Sequence, residues 1–155
     1  MIYNYGMKPL IGITTKQSVN EENLPTVALM QSYVDAVMQA GGVPVLIPSM
    51  ISEDGWDAVY SRLDGILFSG GGDIALERFA GDSHPRVYEV DPERDSVEIK
   101  MLQAAASDNK PFLGICRGCQ VMNVASAGHY TLIFSINCPA PLNIPRIITC
   151  NLLTK

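Results

Sequence analysis

A cysteine between two glycines is the residue of this sequence best suited to covalent chemistry. In Gly114-Ile115-Cys116-Arg117-Gly118, an apolar run precedes the cysteine and a helical segment follows it. This is the pattern of a nucleophile elbow, in which the glycines allow a tight turn and the helix N-terminus favours negative charge on the nucleophile. We predict that Cys116 is the nucleophile, that Gly114 and Gly118 form the elbow, and that the Arg117 backbone N–H is an oxyanion donor.

Two other interpretations of Cys116 stay open. A cysteine in an apolar segment often packs as a small buried hydrophobe. Cys116 and Cys119 also form a C-x-x-C pair, which is typical of redox motifs and of half a zinc site. A zinc site needs four ligands, and the remaining candidates show no paired spacing: Cys138, Cys150, His84 and His129. We therefore expect no metal site and no cofactor, and the redox pair is the second interpretation of the motif.

A second loop with chemical potential is Gly70-Gly71-Gly72-Asp73, which follows the apolar run at 65–69. Three glycines let the backbone approach a ligand closely and direct N–H groups at an anion. No Gly-Lys-Ser/Thr follows, so the loop is not a P-loop, and its match to a dinucleotide fingerprint is loose. A flexible turn is the plainer alternative. Beside a cysteine nucleophile, however, a glycine-rich oxyanion loop indicates acyl transfer.

The elements around these loops alternate between strand and helix. We predict strands at 9–15, 43–48, 65–69 and 111–115 from their short β-rich apolar runs. We predict helices from about Thr26 to Ala40, from a Ser52 cap onward, from Pro92 to about Ser107, and from Gln120. This order indicates an α/β fold, a three-layer and mostly parallel sheet, in which both loops lie at carboxyl ends of strands and face one cleft.

Composition excludes several classes of function. The chain has 155 residues, 47% of them hydrophobic, which is enough for one domain with its own core. Its net charge is −5, and it has no run of Lys or Arg, so we expect neither nucleic-acid nor membrane partners. No apolar stretch is long enough to cross a bilayer and the first residues do not resemble a signal peptide, so we predict a cytoplasmic location.

The last part of the chain differs from the rest. All 16 acidic residues lie between Glu21 and Asp108, and residues 126–155 contain none. The apolar residues of that segment follow neither a strand nor a helix period, and prolines interrupt it. We therefore divide the chain into an α/β part at 1–125 and an aberrant tail at 126–155.

Six blocks, in order, resemble the class I glutamine-amidotransferase-like hydrolases. They are KPLIGIT at 8–14, YVDAV at 33–37, AGGVPVLIP at 40–48, DGILFSGGGD at 64–73, RDxxE at 94–98 and KPFLGICRGxQ at 110–120. The resemblance is closest to the branch that hydrolyses γ-glutamyl-γ-aminobutyrate, in the peptidase C26 group, and it covers residues 8–125. It implies a flavodoxin-like sheet of the class I glutamine amidotransferase type.

The resemblance also implies roles for individual residues. Cys116 would attack the γ-amide carbonyl of a small γ-glutamyl substrate, forming a γ-glutamyl thioester that water then hydrolyses. The backbones of Gly71, Gly72 and Arg117 would hold the oxyanion. For the other matching residues we expect salt bridges and loop anchoring: Asp73, Arg94, Asp95 and Glu98.

One family feature is missing from the sequence. The family completes its catalytic triad with a His and a Glu two residues apart, and neither His84 nor His129 stands in that context. Codons for the family's Leu-Gly-Gly-Thr-Leu-Tyr-x-Asp-Ile, read one base late, can spell the SAGHYTLIF found at 126–134. We therefore hypothesise a one-base deletion near codon 126 and a sheet that is incomplete at the C-terminus.

The resemblance implies that the family function is hydrolysis of γ-glutamyl amides. We expect this chain to be inactive because it lacks the triad His and Glu. Loss of the general base and acid removes roughly 10²- to 10⁴-fold in rate. Two alternatives stay open. One is a non-catalytic chain that binds or associates, and the other is a glutaminase component that supplies ammonia to a synthase partner. Because an incomplete sheet exposes apolar surface, we also expect copies of the chain to associate.

Overall fold

Ten helices and strands make up the part of the chain that the computed structural model describes, residues 7–81 and 85–126. In chain order they are β1 (Leu10–Thr14), β2 (Lys16–Val19), β3 (Pro25–Ala28), α1 (Gln31–Gln39), β4 (Val43–Ile47), α2 (Glu53–Tyr60), β5 (Gly65–Phe68), α3 (Pro92–Ser107), β6 (Phe112–Gly114) and α4 (Arg117–Ala125). A short 3₁₀ turn, Leu76–Arg78, lies between β5 and α3.

Four of the strands form one parallel sheet in the order β4-β1-β5-β6. These are the four strands predicted from the apolar runs. The proline within β4, Pro44, is tolerated because β4 is an edge strand, where a missing ladder N–H costs least. Since all four strands run the same way, the loops after β1, β5 and β6 meet at one edge of the sheet.

Helices cover both faces of this sheet, so the predicted three-layer α/β architecture is confirmed. On one face α1 packs Tyr33 and Val37 against Ile13 and Leu67. On the other face α2, α3 and α4 build the larger core, in which Phe68, Met101 and Val121 are fully buried. Burial of this apolar surface is the main favourable contribution to folding.

The first predicted helix starts too early. Residues 25–28 are not helical but form β3, which pairs antiparallel with β2 in a separate hairpin, and α1 begins only at Gln31. The Asn20 side chain closes the hairpin turn, since its Oδ1 accepts from the N–H groups of Glu22 and Leu24. Val27 fits a helical period by coincidence, and hairpin pairing prevails over that pattern.

The last predicted helix starts too late. Helix α4 begins at Arg117, directly after Cys116, and not at Gln120. Helix α3 has the predicted bounds, because Asp91 caps it through the Arg94 N–H at 3.0 Å and Pro92 occupies the first turn. Ser52 caps α2 as predicted, accepting from the Gly55 N–H at 3.2 Å.

Several predictions lie outside the described residues. They are the aberrant tail beyond Ser126, the incompleteness of the sheet at the C-terminus, and the contexts of His84 and His129. Among residues 7–81 and 85–126, no helix is both long enough and apolar enough to cross a membrane.

Candidate active site

Cys116 lies at the junction of β6 and α4, with its backbone in a conformation that non-glycine residues rarely adopt (φ 54°, ψ −108°). The turn is closed by two backbone hydrogen bonds, from the Gly118 N–H to Ile115 O and from the Cys119 N–H to Cys116 O, each at 2.9 Å. The cysteine is exposed at the N-terminus of α4. The structure therefore has the strand–turn–helix shape predicted for a nucleophile elbow.

The two glycines of the elbow are needed for packing. A Cβ at Gly114 would lie 2.6 Å from the carbonyl carbon of Gly118, and a Cβ at Gly118 would overlap the carbonyl oxygen of Phe68. Both neighbours are backbone atoms, which cannot turn aside as a side chain can. Glycine at these positions lets α4 pack directly against β5 and β6.

The glycine loop after β5 packs closely on every side. The Gly70 N–H donates to the Tyr33 hydroxyl at 3.0 Å, and a Cβ at Gly70 would lie 3.6 Å from that of Cys116. At Gly71 the space for a Cβ is taken by the Arg94 guanidinium, and at Gly72 by backbone carbonyls of 88–89. The three glycines thus permit close approach of other groups from three directions.

One cavity of about 500 Å³ contains both the nucleophile candidate and the glycine loop. Cys116, Gly70 and Gly71 line it, together with residues that the sequence did not single out. Gly72 and Arg117 line an adjoining cavity of about 870 Å³. The predicted site residues therefore come together at one sheet edge, in two cavities that share part of their wall.

Of the three predicted oxyanion donors, the Arg117 N–H directly follows Cys116 in the chain. Arg117 is the first residue of α4, where an N–H has no acceptor within the helix. The N–H of Gly70 is already donated to Tyr33. The predicted donors, Gly71, Gly72 and Arg117, stay a prediction.

Beneath the loops lies a buried cluster of two arginines and two acids, none more than 2% exposed: Arg94, Asp95, Glu98 and Arg117. Arg117 pairs with Asp95 and with Glu98. Arg94 Nε donates to Glu98 Oε1 at 2.8 Å. The two positive and two negative charges balance, which is how charged groups survive burial in a core.

This ion-pair cluster holds the glycine loop from both ends. Arg94 Nη2 donates to the Ser69 carbonyl at 3.1 Å and to its hydroxyl at 2.9 Å. Asp95 Oδ2 accepts from the Ala75 N–H at 2.9 Å. Burial raises the pKa of Asp95, while the Ala75 N–H and the Arg117 guanidinium act in the opposite direction. The expected salt bridges and loop anchoring are thus present for Arg94, Asp95 and Glu98.

Asp73 anchors the same loop from its far side. Its Oδ1 accepts from Gln120 Nε2 at 2.8 Å, and Gln120 Oε1 accepts in turn from the Ile74 N–H at 3.1 Å. The Asp73 N–H donates to Tyr88 O at 2.9 Å. The segment at 88–89 is thereby fixed against the glycine loop.

Three polar residues that line the Cys116 cavity were missed in the sequence: Lys16, Tyr88 and Glu89. Tyr88 and Glu89 come from the connection at 75–90, which carries no motif, and Lys16 comes from the unpredicted hairpin. Burial, followed by the charges of Asp73, Cys116 and Glu89, raises the pKa of Tyr88. Glu89 is unusual in its backbone, which has a φ of 46°. No pattern in the sequence predicts that conformation.

The Cys119 thiol donates to Gly114 O at 3.3 Å, and the redox interpretation of the C-x-x-C pair stays a prediction. His84 and His129 lie outside the described residues. Within the described ranges, no three His, Cys, Asp or Glu side chains gather as metal ligands would.

Comparison with known proteins places these features in a family. The model of the peptidase C26 family matches residues 9–140. A glutamine amidotransferase-like protein of Rickettsia prowazekii is 35% identical over an alignment of 135 residues, and the match covers 78% of this chain and 44% of that protein. A γ-glutamyl-γ-aminobutyrate hydrolase of Escherichia coli O157:H7 is 29% identical over 121 residues, 77% of this chain and 47% of the enzyme. The chain thus spans about half the length of these curated relatives.

Proposed function

The chain belongs to the peptidase C26 family, and we propose that its site is built to cleave γ-glutamyl amide bonds through Cys116. The observation that carries the proposal is the position of Cys116. An exposed cysteine with a left-handed backbone lies at the N-terminus of α4, in one cavity with the glycine loop. A hydrolase among the relatives acts on γ-glutamyl-γ-aminobutyrate, which makes a γ-glutamyl derivative of a small amine the substrate to test first.

The proposed chemistry is acyl transfer in two steps. The Cys116 thiolate attacks the γ-carbonyl carbon, and the developing oxyanion accepts hydrogen bonds from the N–H groups of Gly71, Gly72 and Arg117. As the carbonyl reforms, the C–N bond breaks, the amine takes up a proton and leaves, and a γ-glutamyl thioester stays on Cys116. Water then attacks the thioester, which releases glutamate and the thiol.

Both the acylation step and the hydrolysis step require a proton transfer. The leaving amine needs a proton donor and the attacking water needs a base, and the sequence contains no His-x-Glu pair. We propose that the 155-residue chain alone turns over amides roughly 10²- to 10⁴-fold more slowly than a complete triad would allow. A substrate with a good leaving group, such as an activated ester, avoids the first of these requirements.

Glutamate release from γ-glutamyl amides tests the proposal. We expect any release to be lost in Cys116→Ala and kept in Cys119→Ser, since only Cys116 is exposed at the elbow. Release that survives Cys116→Ala would refute the cysteine mechanism. A requirement for both cysteines, relieved by a reductant, would favour the redox interpretation.

A second candidate function is association without catalysis. On the face of the sheet that α1 covers in part, a cavity of about 610 Å³ has an apolar wall that includes Leu67, Leu113 and Ile115. Leu113 and Ile115 are half-buried, and apolar surface that stays open to solvent is typical of protein interfaces. We propose that two copies of the chain associate through this face.

A further inference from the structure

An exposed ion pair forms part of the wall of the Cys116 cavity. Lys16, the first residue of β2, lies 3.3 Å from Glu89 between Nζ and Oε2, although the two are 73 positions apart. Their side chains are 42% and 61% exposed. Both residues line the Cys116 cavity and the adjoining larger one. The pair therefore stands where the two cavities meet.

Lys16 and Glu89 are the only charged side chains among the described residues that line the Cys116 cavity. The rest of the wall consists of the nucleophile, the glycine loop, Tyr88, Ser69 and the apolar residues at 28–30. A ligand that fits this cavity should carry one positive and one negative charge close together, with an uncharged chain reaching the cysteine. An α-amino acid head group joined to a side-chain carbonyl has that arrangement.

We propose that Lys16 binds the α-carboxylate, and Glu89 the α-ammonium, of the glutamyl group whose γ-carbonyl Cys116 attacks. This inference rests on the proposed function. The substrate would replace the Lys16–Glu89 contact with two contacts of its own. Little is lost in that exchange, because ion pairs between exposed side chains are weak.

The backbone around Glu89 is held in place before any ligand binds. Glu89 has a left-handed φ of 46°, a strained conformation of the kind that clusters at functional sites. The hydrogen bond between the Asp73 N–H and Tyr88 O ties this segment to the glycine loop, and a Cβ on Gly72 would overlap it. On the other side, pairing of Lys16 with Ala28 in the hairpin fixes the position of Lys16.

The consequence is selectivity for a free glutamyl head. A γ-glutamyl compound with both α-groups unblocked satisfies both side chains. Acylating the α-amine removes the partner of Glu89, and esterifying the α-carboxyl removes the partner of Lys16. Each blocked analogue forms only one of the two contacts, so it binds more weakly than the free glutamyl group.

The test uses covalent labelling of Cys116, which does not require turnover. Three reagents are compared: a chloromethyl ketone analogue of glutamine, the same ketone without its α-amine, and iodoacetamide. In each case the Cys116 sulfur forms a C–S bond, halide leaves, and the thiol proton goes to solvent. The rate of labelling is followed by intact mass spectrometry for the wild-type chain, Lys16→Gln and Glu89→Gln.

We expect each substitution to slow labelling by the glutamine analogue roughly two- to fivefold, as for loss of one exposed charged contact. With the des-amino ketone, only Lys16→Gln should slow the reaction, since that reagent has no group for Glu89. Iodoacetamide should react at the same rate with all three proteins, which shows that the elbow is intact. Lys100→Gln and Glu53→Gln, which break an exposed ion pair outside the cavity, serve as matched controls and should change nothing.

The outcomes separate this inference from the proposed function. If the glutamine analogue labels wild-type Cys116 with saturation but both variants react equally fast, the Lys16–Glu89 assignment is wrong and the proposed function stands. If the analogue shows no saturation and no preference for Cys116 in the wild-type chain, both are refuted. Slowing by both ketones in both variants would indicate a structural role for the pair and would also overturn the assignment.

Discussion

Glu98 lies between two buried guanidinium groups, and its charge is the one that both of them share. Replacing it with the isosteric Gln keeps the volume but leaves Arg94 and Arg117 with one acid, Asp95, for two positive charges. Breaking a buried ion pair by removing one partner costs about 3–5 kcal/mol. We expect Glu98→Gln to lower the free energy of unfolding by about that amount, measured by urea denaturation.

The matched control is Glu93→Gln, on the same helix but exposed, where the carboxylate accepts a hydrogen bond from Gln17. That substitution should change stability far less. Equal effects of the two substitutions would show that the buried cluster contributes no more than an exposed pair, against our interpretation of how the glycine loop is held.

At the scale of single residues, the sequence predicts features that depend on residue types close together in the chain. The strand–turn–helix around Cys116 was predicted because a turn of this shape requires its residue types within five positions of the chain. Lys16 and Glu89 were not found, because their contact joins segments 73 positions apart and neither type is unusual on a surface. Contacts of that kind depend on how the whole chain folds.

Among the elements, α4 packs closely against β5 at Gly118. A Cβ on Gly118 would overlap the carbonyl oxygen of Phe68, so α4 would have to move away from the sheet. We expect Gly118→Ala to destabilise the fold and to slow alkylation of Cys116 by the glutamine analogue. Both are measured on one preparation, by urea denaturation and by intact mass.

Gly41→Ala supplies the comparison for Gly118→Ala. Gly41 has a φ of +85° and nothing within 4 Å of the added Cβ, so its cost is backbone strain alone, about 1 kcal/mol. Gly118→Ala should cost clearly more. The reverse order would mean that α4 does not pack against β5 as closely as described.

The end of α2 is joined to the end of α3 and the segment that follows it through Tyr60. Its hydroxyl donates to the Asp108 carboxylate at 2.8 Å, and Lys110 Nζ lies 4.3 Å from its ring centroid. Burial, and then the bond to Asp108, raises the pKa of Tyr60 from 10.0 to about 12. Because the fold prefers the neutral phenol, this contribution to stability is complete below pH 10 and is lost as the pH rises through 12.

Ultraviolet absorbance at about pH 11 tests this shift, since an ordinary tyrosine is mostly ionised there. In the folded wild-type protein, Tyr60 should still be neutral, so that Tyr60→Phe does not reduce the phenolate signal. A loss of one phenolate equivalent in Tyr60→Phe would show that the pKa of Tyr60 is ordinary.

At the scale of elements, a helix or strand was predicted correctly where its end residues and its apolar spacing indicated the same structure. Helix α3 was found with its observed bounds because the Pro92 start and the apolar spacing gave the same result. The hairpin of β2 and β3 was missed because Val27 also fits a helical period and the turn is closed by the Asn20 side chain. That hairpin supplies one wall of the Cys116 cavity.

For the molecule as a whole, the parallel sheet is what makes a site. It brings the loops after β5 and β6 to one edge, because parallel strands have their carboxyl ends at the same edge. The face of the same sheet that α1 covers in part carries the apolar wall around Leu113. We propose that a second copy of the chain covers this face. We expect sedimentation velocity to show concentration-dependent association of the wild-type chain that Leu113→Lys abolishes.

Met38→Lys is the control for this association. Met38 lies on α1 and is 51% exposed, and it does not line the apolar cavity. Its substitution should leave association unchanged. A wild-type chain that stays monomeric at all concentrations would contradict the proposal.

Formation of a γ-glutamyl thioester on Cys116 is the most direct measurement of what this site does. The 155-residue chain is mixed with an activated γ-glutamyl aryl ester, which needs no proton on its leaving group, and quenched in acid before intact and peptide mass analysis. We predict the mass of one glutamyl group on the peptide that contains Cys116, and none in Cys116→Ala. A folded chain that acquires no glutamyl group, or acquires it on Cys119 instead, would contradict the assignment of Cys116 as the nucleophile.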